Sequence, residues 1–183
     1  DIKIGSTPFM LLRHAMQGAP IFAMANYMDF IKDGNGLNVL LQNYWMVIHP
    51  PVLFLGFAST TIPFAYAVTG LLKKDNSWLD VVLPWATFSA AILGLGIMMG
   101  AAWAYESLNF GGYWAWDPVE NASLVPWLTL VGAAHLMLIN KSTGRSVFAT
   151  YLFSVFTFVL VLYSTFLTRS GILGSTSVHA FTE

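Results

Sequence analysis

Four histidines, His14, His49, His135 and His179, carry most of the chemistry this sequence can offer. There is no cysteine, which excludes an iron–sulfur cluster, a zinc ribbon, a disulfide scaffold and a thiol nucleophile. His49 stands in Ile48-His49-Pro50-Pro51, where the prolines suit a first helical turn, and His179 lies in the tail beyond Arg169. Between them runs a loop, 105–121, that displays Tyr105, Phe110, Tyr113, Trp114 and Trp116 together with Glu106, Asp117 and Glu120. Loops are usually small and polar, so such a loop has two readings. Trp and Tyr form belts at the headgroup level of membranes. They also make a shelf on which a flat apolar ligand can lie. Two imidazoles flanking the loop favour the shelf. A flat macrocycle with two axial nitrogen ligands is haem, whose iron takes histidine readily. Zinc is disfavoured, because no two histidines are three or four residues apart.

The remaining polar residues read less sharply. His14 has nothing around it to suggest more than a solvated surface role. His135 falls inside an apolar run, where an imidazole points to function by default, with a hydrogen bond to a neighbouring helix as the alternative. Asp117 and Glu120 bracket Pro118 in the pattern of a helix start, so capping competes with substrate contact. Arg169 suits either a haem propionate or a snorkelling anchor.

The elements that must position these residues are set by where charge is missing. Only 9% of the 183 residues are charged, against about 25% in a soluble domain. Residues 49–72, 81–105, 121–140 and 146–168 hold no Asp, Glu, Lys or Arg. Each reaches the roughly 20 residues that cross a bilayer, where only a helix satisfies its own backbone. The expected fold is an all-α, polytopic membrane helix bundle of four transmembrane helices. The net charge of −1 gives no hint of nucleic acid. Gly94, Gly96 and Gly100 superficially suggest a dinucleotide fingerprint, but with no strand before them they read as close helix packing.

Lys73, Lys74, Lys141 and Arg145 share the two short loops of one side, whereas Lys32 and Arg169 lie on the other. The positive-inside rule then places residues 1–48, 106–120 and 169–183 outside the cytoplasm, and His49 and His179 on that outer face. His135, about 21 Å from the outer end of its span, cannot share their iron. Residues 8–31 are too interrupted by Arg13, Pro20 and Asp29 to span, and suit a pair of interfacial helices. The expected division is therefore an extracytoplasmic, interfacial segment, 1–45, and a membrane core, 46–183. The opening Asp1, instead of Met, suggests a piece of a longer chain.

The run Gly111-Gly112-Tyr113-Trp114-Ala115-Trp116-Asp117-Pro118-Val119-Glu120-Asn121-Ala122-Ser123 resembles the tryptophan-rich signature of the haem-handling proteins of cytochrome c biogenesis, the CcmF, CcmC and CcsA types. Ile48-His49-Pro50-Pro51, Arg169-Ser170-Gly171 and Ser177-Val178-His179-Ala180-Phe181 resemble the CcmF type in particular, as does Gly36-Leu37-Asn38-Val39-Leu40-Leu41-Gln42. The resemblance covers about residues 35–183. It implies that His49 and His179 are axial ligands of an outer haem b, and that His135 binds a second haem b within the membrane, its other ligand lying outside this segment. It further implies inner-membrane location, haem received from a CcmE-type chaperone, and attachment to apocytochrome c prepared by a thiol-handling partner, as part of a haem lyase complex. Phe110 and Tyr113 stand where the signature usually has Trp, which keeps the aromatic faces and loses two indole donors. No general acid or base is evident. Trp114, Trp116 and Tyr113 would grip the macrocycle, so the expected contribution is proximity, with the cofactor carrying the reactive chemistry. Haem delivery of the CcmC or CcsA type and a b-type electron-transfer cytochrome are the alternatives.

Overall fold

The computed structural model describes residues 10–30, 37, 39–107, 112–173 and 177, and every regular element in it is helical. The chain forms two compact units, Asp1–Gln42 and Asn43–Glu183. In the first, the helix pair expected over residues 8–31 is realised as short turns: α1 (Leu12–Ala15) and 3-10 turns at Pro20–Ala23 and Tyr27–Asp29, followed by a third at Val39–Leu41. The reason is local. A proline disfavours the helical region for the residue before it, and Ala19 is extended at φ −74°, ψ 124°.

The second unit contains four apolar helical rods long enough to cross a membrane, Tyr44–Lys73, Trp78–Ser107, Pro118–Thr143 and Val147–Arg169. They contain the four charge-free runs almost entirely. The first rod is not continuous. It consists of α2 (Tyr44–Ser59) and α3 (Thr61–Lys73), joined at Thr60. Pro63 has no N–H for the Ser59 carbonyl, and its ring crowds that group, so the helix breaks there. Hydroxyls satisfy the loosened turn: Ser59 Oγ donates to the Gly56 carbonyl at 2.7 Å and Thr60 Oγ1 to the Phe57 carbonyl at 2.6 Å. The other rods are α4 (Trp78–Ser107), α5 (Pro118–Thr143) and α6 (Val147–Arg169).

Glycine sets how closely α2 and α4 approach. A Cβ on Gly56 would lie 2.6 Å from the Leu93 Cα, and one on Gly96 would lie 2.7 Å from the Leu53 Cα. The two helices thus press backbone to backbone, the small-residue packing expected in a bilayer. Gly94 makes room for Trp127, whose indole N–H donates to the Ala90 carbonyl at 2.9 Å. At Gly94 and Gly96 the glycine pattern is close helix packing, as its spacing suggests.

One end of the bundle carries the connections α3–α4 and α5–α6. There Trp78 Nε1 donates to the Tyr151 hydroxyl at 2.7 Å, and that hydroxyl lies 3.1 Å from the Asp75 carbonyl and 3.0 Å from Asn76 Oδ1. Ala67, Val82, Ala86, Ala134 and Met137 pack around this pair as the apolar core. The opposite end carries the start of α2, the end of α4, the aromatic loop and the end of α6. The site lies there.

Candidate functional site

Asn43 ties this end together. Its Oδ1 caps α2 by accepting the Trp45 N–H at 2.8 Å, while its Nδ2 donates to Ser107 Oγ at 2.7 Å and Glu106 Oε2 at 3.3 Å. The helix bearing His49 is thereby fastened to the residues from which the aromatic loop departs.

His49 lies in the second turn of α2 and is half-buried against α4. Its Nδ1 is 2.8 Å from the Gly96 carbonyl oxygen. A carbonyl can only accept, so Nδ1 carries the proton and the lone pair of the neutral ring sits on Nε2. Metal-binding histidines are fixed and made more basic by this arrangement. The ring occupies a cradle over Gly100, where an added Cβ would come within 2.7 Å of Cε1, 3.1 Å of Nε2 and 3.2 Å of Nδ1. Trp103 flanks it, ring centroids 6.1 Å apart, and is itself buried. Gly100 and Trp103 were missed as site residues in the sequence. The glycine spacing signalled close packing but not its partner, and Trp103 reads as one more apolar span residue.

The described part of the loop is held by the first turn of α5. Asp117 caps that helix by accepting the Val119 N–H at 2.9 Å, and Glu120 completes a capping box by accepting the Asp117 N–H at 3.1 Å. The same Glu120 oxygen accepts the Ala115 N–H at 3.0 Å, and Asn121 Nδ2 donates to the Trp116 carbonyl at 2.9 Å. These bonds clamp Trp116 on both sides. It has φ 58°, the left-handed region that non-glycine residues seldom adopt, and its side chain stands 70% exposed. The acids therefore take the structural role of the two considered, shaping the loop.

Trp114 and Trp116 meet edge to face at 6.1 Å and 88°. Tyr113 stacks on Tyr105 of α4, centroids 4.3 Å apart and planes 7° from parallel. Trp114 Nε1 is buried and has no hydrogen-bond partner among the described residues. Ser177 Oγ donates to Asp117 Oδ1 at 2.8 Å, bringing Ser177 onto the same cap. Phe110 and His179 lie outside the described residues.

Arg169 shares this end of the bundle, whereas His135 and His14 lie elsewhere. Arg169 is the last residue of α6 and is exposed. His135 is exposed on α5, with Nδ1 2.8 Å from the Val131 carbonyl oxygen, so its lone pair also sits on Nε2. His14 is exposed on α1. Between α5 and α6 an apolar groove of about 200 Å³, lined by residues such as Val125, Pro126, Leu160 and Leu167, runs down from the loop.

The described histidine at this end suits haem iron: the His49 imidazole is held through Nδ1, with Nε2 bearing the lone pair and aromatic side chains at the same end. The glycine cradle and the orphaned Trp114 N–H are features that packing alone leaves unexplained.

Fold and site together define a polytopic helical membrane protein with an aromatic loop and a carbonyl-braced histidine at one end of its bundle. The family described as "Cytochrome C assembly protein" matches residues 6–173, and the chain belongs to it. It is 44% identical over 151 residues to the cytochrome c-type biogenesis protein CcmF of Pseudomonas aeruginosa, a match covering 81% of this chain and 23% of that protein. It is 40% identical over 155 residues to CcmF of Escherichia coli, covering 84% of this chain and 24% of the relative. A solved structure titled "Cytochrome c Heme Lyase CcmF" superimposes with a TM-score of 0.65 at 35% identity, over 82% of this chain and 26% of that one. The chain thus spans about a quarter of the length of the relatives it matches.

Proposed function

We propose that this chain is the haem-holding portion of a CcmF-type cytochrome c haem lyase in the inner membrane, its aromatic loop on the extracytoplasmic side. The observation that carries this reading is the His49 imidazole, braced through Nδ1 by the Gly96 carbonyl at the end of the bundle that bears the loop. His49 and His179 would hold the iron of an outer haem b, with Trp114, Trp116, Tyr113 and Phe110 against its ring system and Arg169 at a propionate. Bound haem supplies the vinyl groups to which cysteine thiols add and the iron whose reduced state that addition needs. The chain's own residues fix position. Asn43 and the Gly96 carbonyl set the His49 ring, and Glu120 with Asn121 sets Trp116. His135, with the same Nδ1-to-carbonyl brace, would bind a second haem b within the membrane, completed by a ligand from elsewhere in the full-length protein. A CcmE-type chaperone would deliver the haem, and apocytochrome c, with its thiol-handling partner, would receive it. Residues 1–45 would lie at the outer interface.

The test uses full-length protein in cells lacking their own copy, with apocytochrome c co-expressed and covalent haem read on denaturing gels. The reading requires that His49→Ala abolish covalent cytochrome c while the protein still accumulates in the membrane. Undiminished cytochrome c from that variant would refute it.

A further inference from the structure

We infer that Gly100 is a positioning residue for the His49 imidazole, and that the α2–α4 glycine contact is built to hold that ring's direction as well as to join two helices. The inference rests on the proposed role of His49 as an iron ligand. The contact has three glycines of different kinds. Gly56 and Gly96 each face partner backbone, Leu93 and Leu53, at 2.6 and 2.7 Å for a built Cβ, and for Gly56 that is helix packing alone. Gly100 instead faces a side chain. All three atoms nearest its built Cβ belong to the His49 ring, and two of them are its nitrogens. Any side chain at 100 must displace the ring edge that carries Nε2, and so swing Nδ1 off the Gly96 carbonyl it meets at 2.8 Å. Gly96 contributes twice, since its missing Cβ brings α2 close and its carbonyl then lies within reach of the imidazole. Trp103, 6.1 Å from the ring centroid, occupies the next turn of α4 and limits where a displaced ring can go. The ring direction is therefore a property of α4, not of the loop.

The experiment compares Gly100→Ala, Gly56→Ala and His49→Ala in full-length protein. The readouts are the haem spectrum, midpoint potential and haem retention, with thermal stability of the haem-free form. Gly100→Ala is expected to shift spin state and potential and to weaken haem retention about 10- to 100-fold, the usual cost of disturbing a ligand's support. Gly56→Ala, a clash at similar distance on the same interface but against Leu93 backbone, is expected to leave the spectrum of the haem it retains unchanged. In the haem-free protein, the stability lost through Gly100→Ala should vanish in a His49→Ala background. A Gly100→Ala spectrum and potential like the parent's, or an equal stability loss with and without the imidazole, would overturn the inference. An unchanged spectrum in His49→Ala would instead remove the proposed function beneath it, so the two failures are distinct. If Gly100→Ala does not accumulate, the His49→Ala, Gly100→Ala double variant decides: recovery supports the inference, and continued loss contradicts it.

Discussion

The Ser177 hydroxyl donates to the Asp117 carboxylate at 2.8 Å, and both residues are buried. That carboxylate also caps α5, so one side chain starts a membrane helix and holds Ser177, two residues before His179 in sequence. Ser177→Ala should loosen that attachment at a cost of about 1 kcal/mol while leaving the helix cap intact. Faster protease cleavage after Arg169, with little change in Tm, is the expected pair of results.

Glu120 is expected to govern Trp116 through the two backbone N–H groups it accepts. Glu120→Ala should cost about 1 kcal/mol and let Trp116 relax from its left-handed conformation, while Glu120→Gln retains acceptor capacity and most of the loop. The fluorescence difference between each variant and the same variant carrying Trp116→Phe, which separates Trp116 from the chain's six other tryptophans, reads the change.

The other end of the bundle should be separable from the site. Tyr151→Phe removes the acceptor of the buried Trp78 N–H and should destabilise by about 1–3 kcal/mol. Its haem spectrum should match the parent's, because Tyr151 sits near the start of α6 and the site lies at that helix's far end.

Acid should act on the α3–α4 turn. Asp75 accepts the Ser77 N–H at 2.9 Å and its hydroxyl at 2.8 Å, which hold its carboxyl below the ordinary carboxylate range, with Lys73 adding to the effect. A depressed native pKa means that the carboxylate's contribution is present above the unfolded value and fades as pH falls through the native one. Asp75→Asn should flatten that acid limb of a pH-dependent melt, slightly, since the group is fully exposed.

The four rods were legible because a missing charge across more than 20 residues has few explanations, and the Asp117–Glu120 cap because capping is local. The break at Thr60 was less so. Its signal, Pro63, sits inside a charge-free run that reads as one span. What could not be read were pairings across helices: Gly100 beneath His49, Tyr105 stacked on Tyr113, and Asn43 bonded to Ser107. Each depends on helix rotation and register, which charge and periodicity leave open. The first unit's short turns follow from Pro20, whose interruption is plain in the sequence while its effect on the Ala19 backbone is not.

The most direct test of haem held through His49 is the absorbance and magnetic resonance spectrum of purified full-length His49→Gly, recorded before and after adding imidazole. The account predicts that the variant loses the bis-histidine signature of one haem, keeps that of the other, and regains the first when free imidazole fills the vacated place. A His49→Gly protein with both signatures intact, and no response to imidazole, would contradict it.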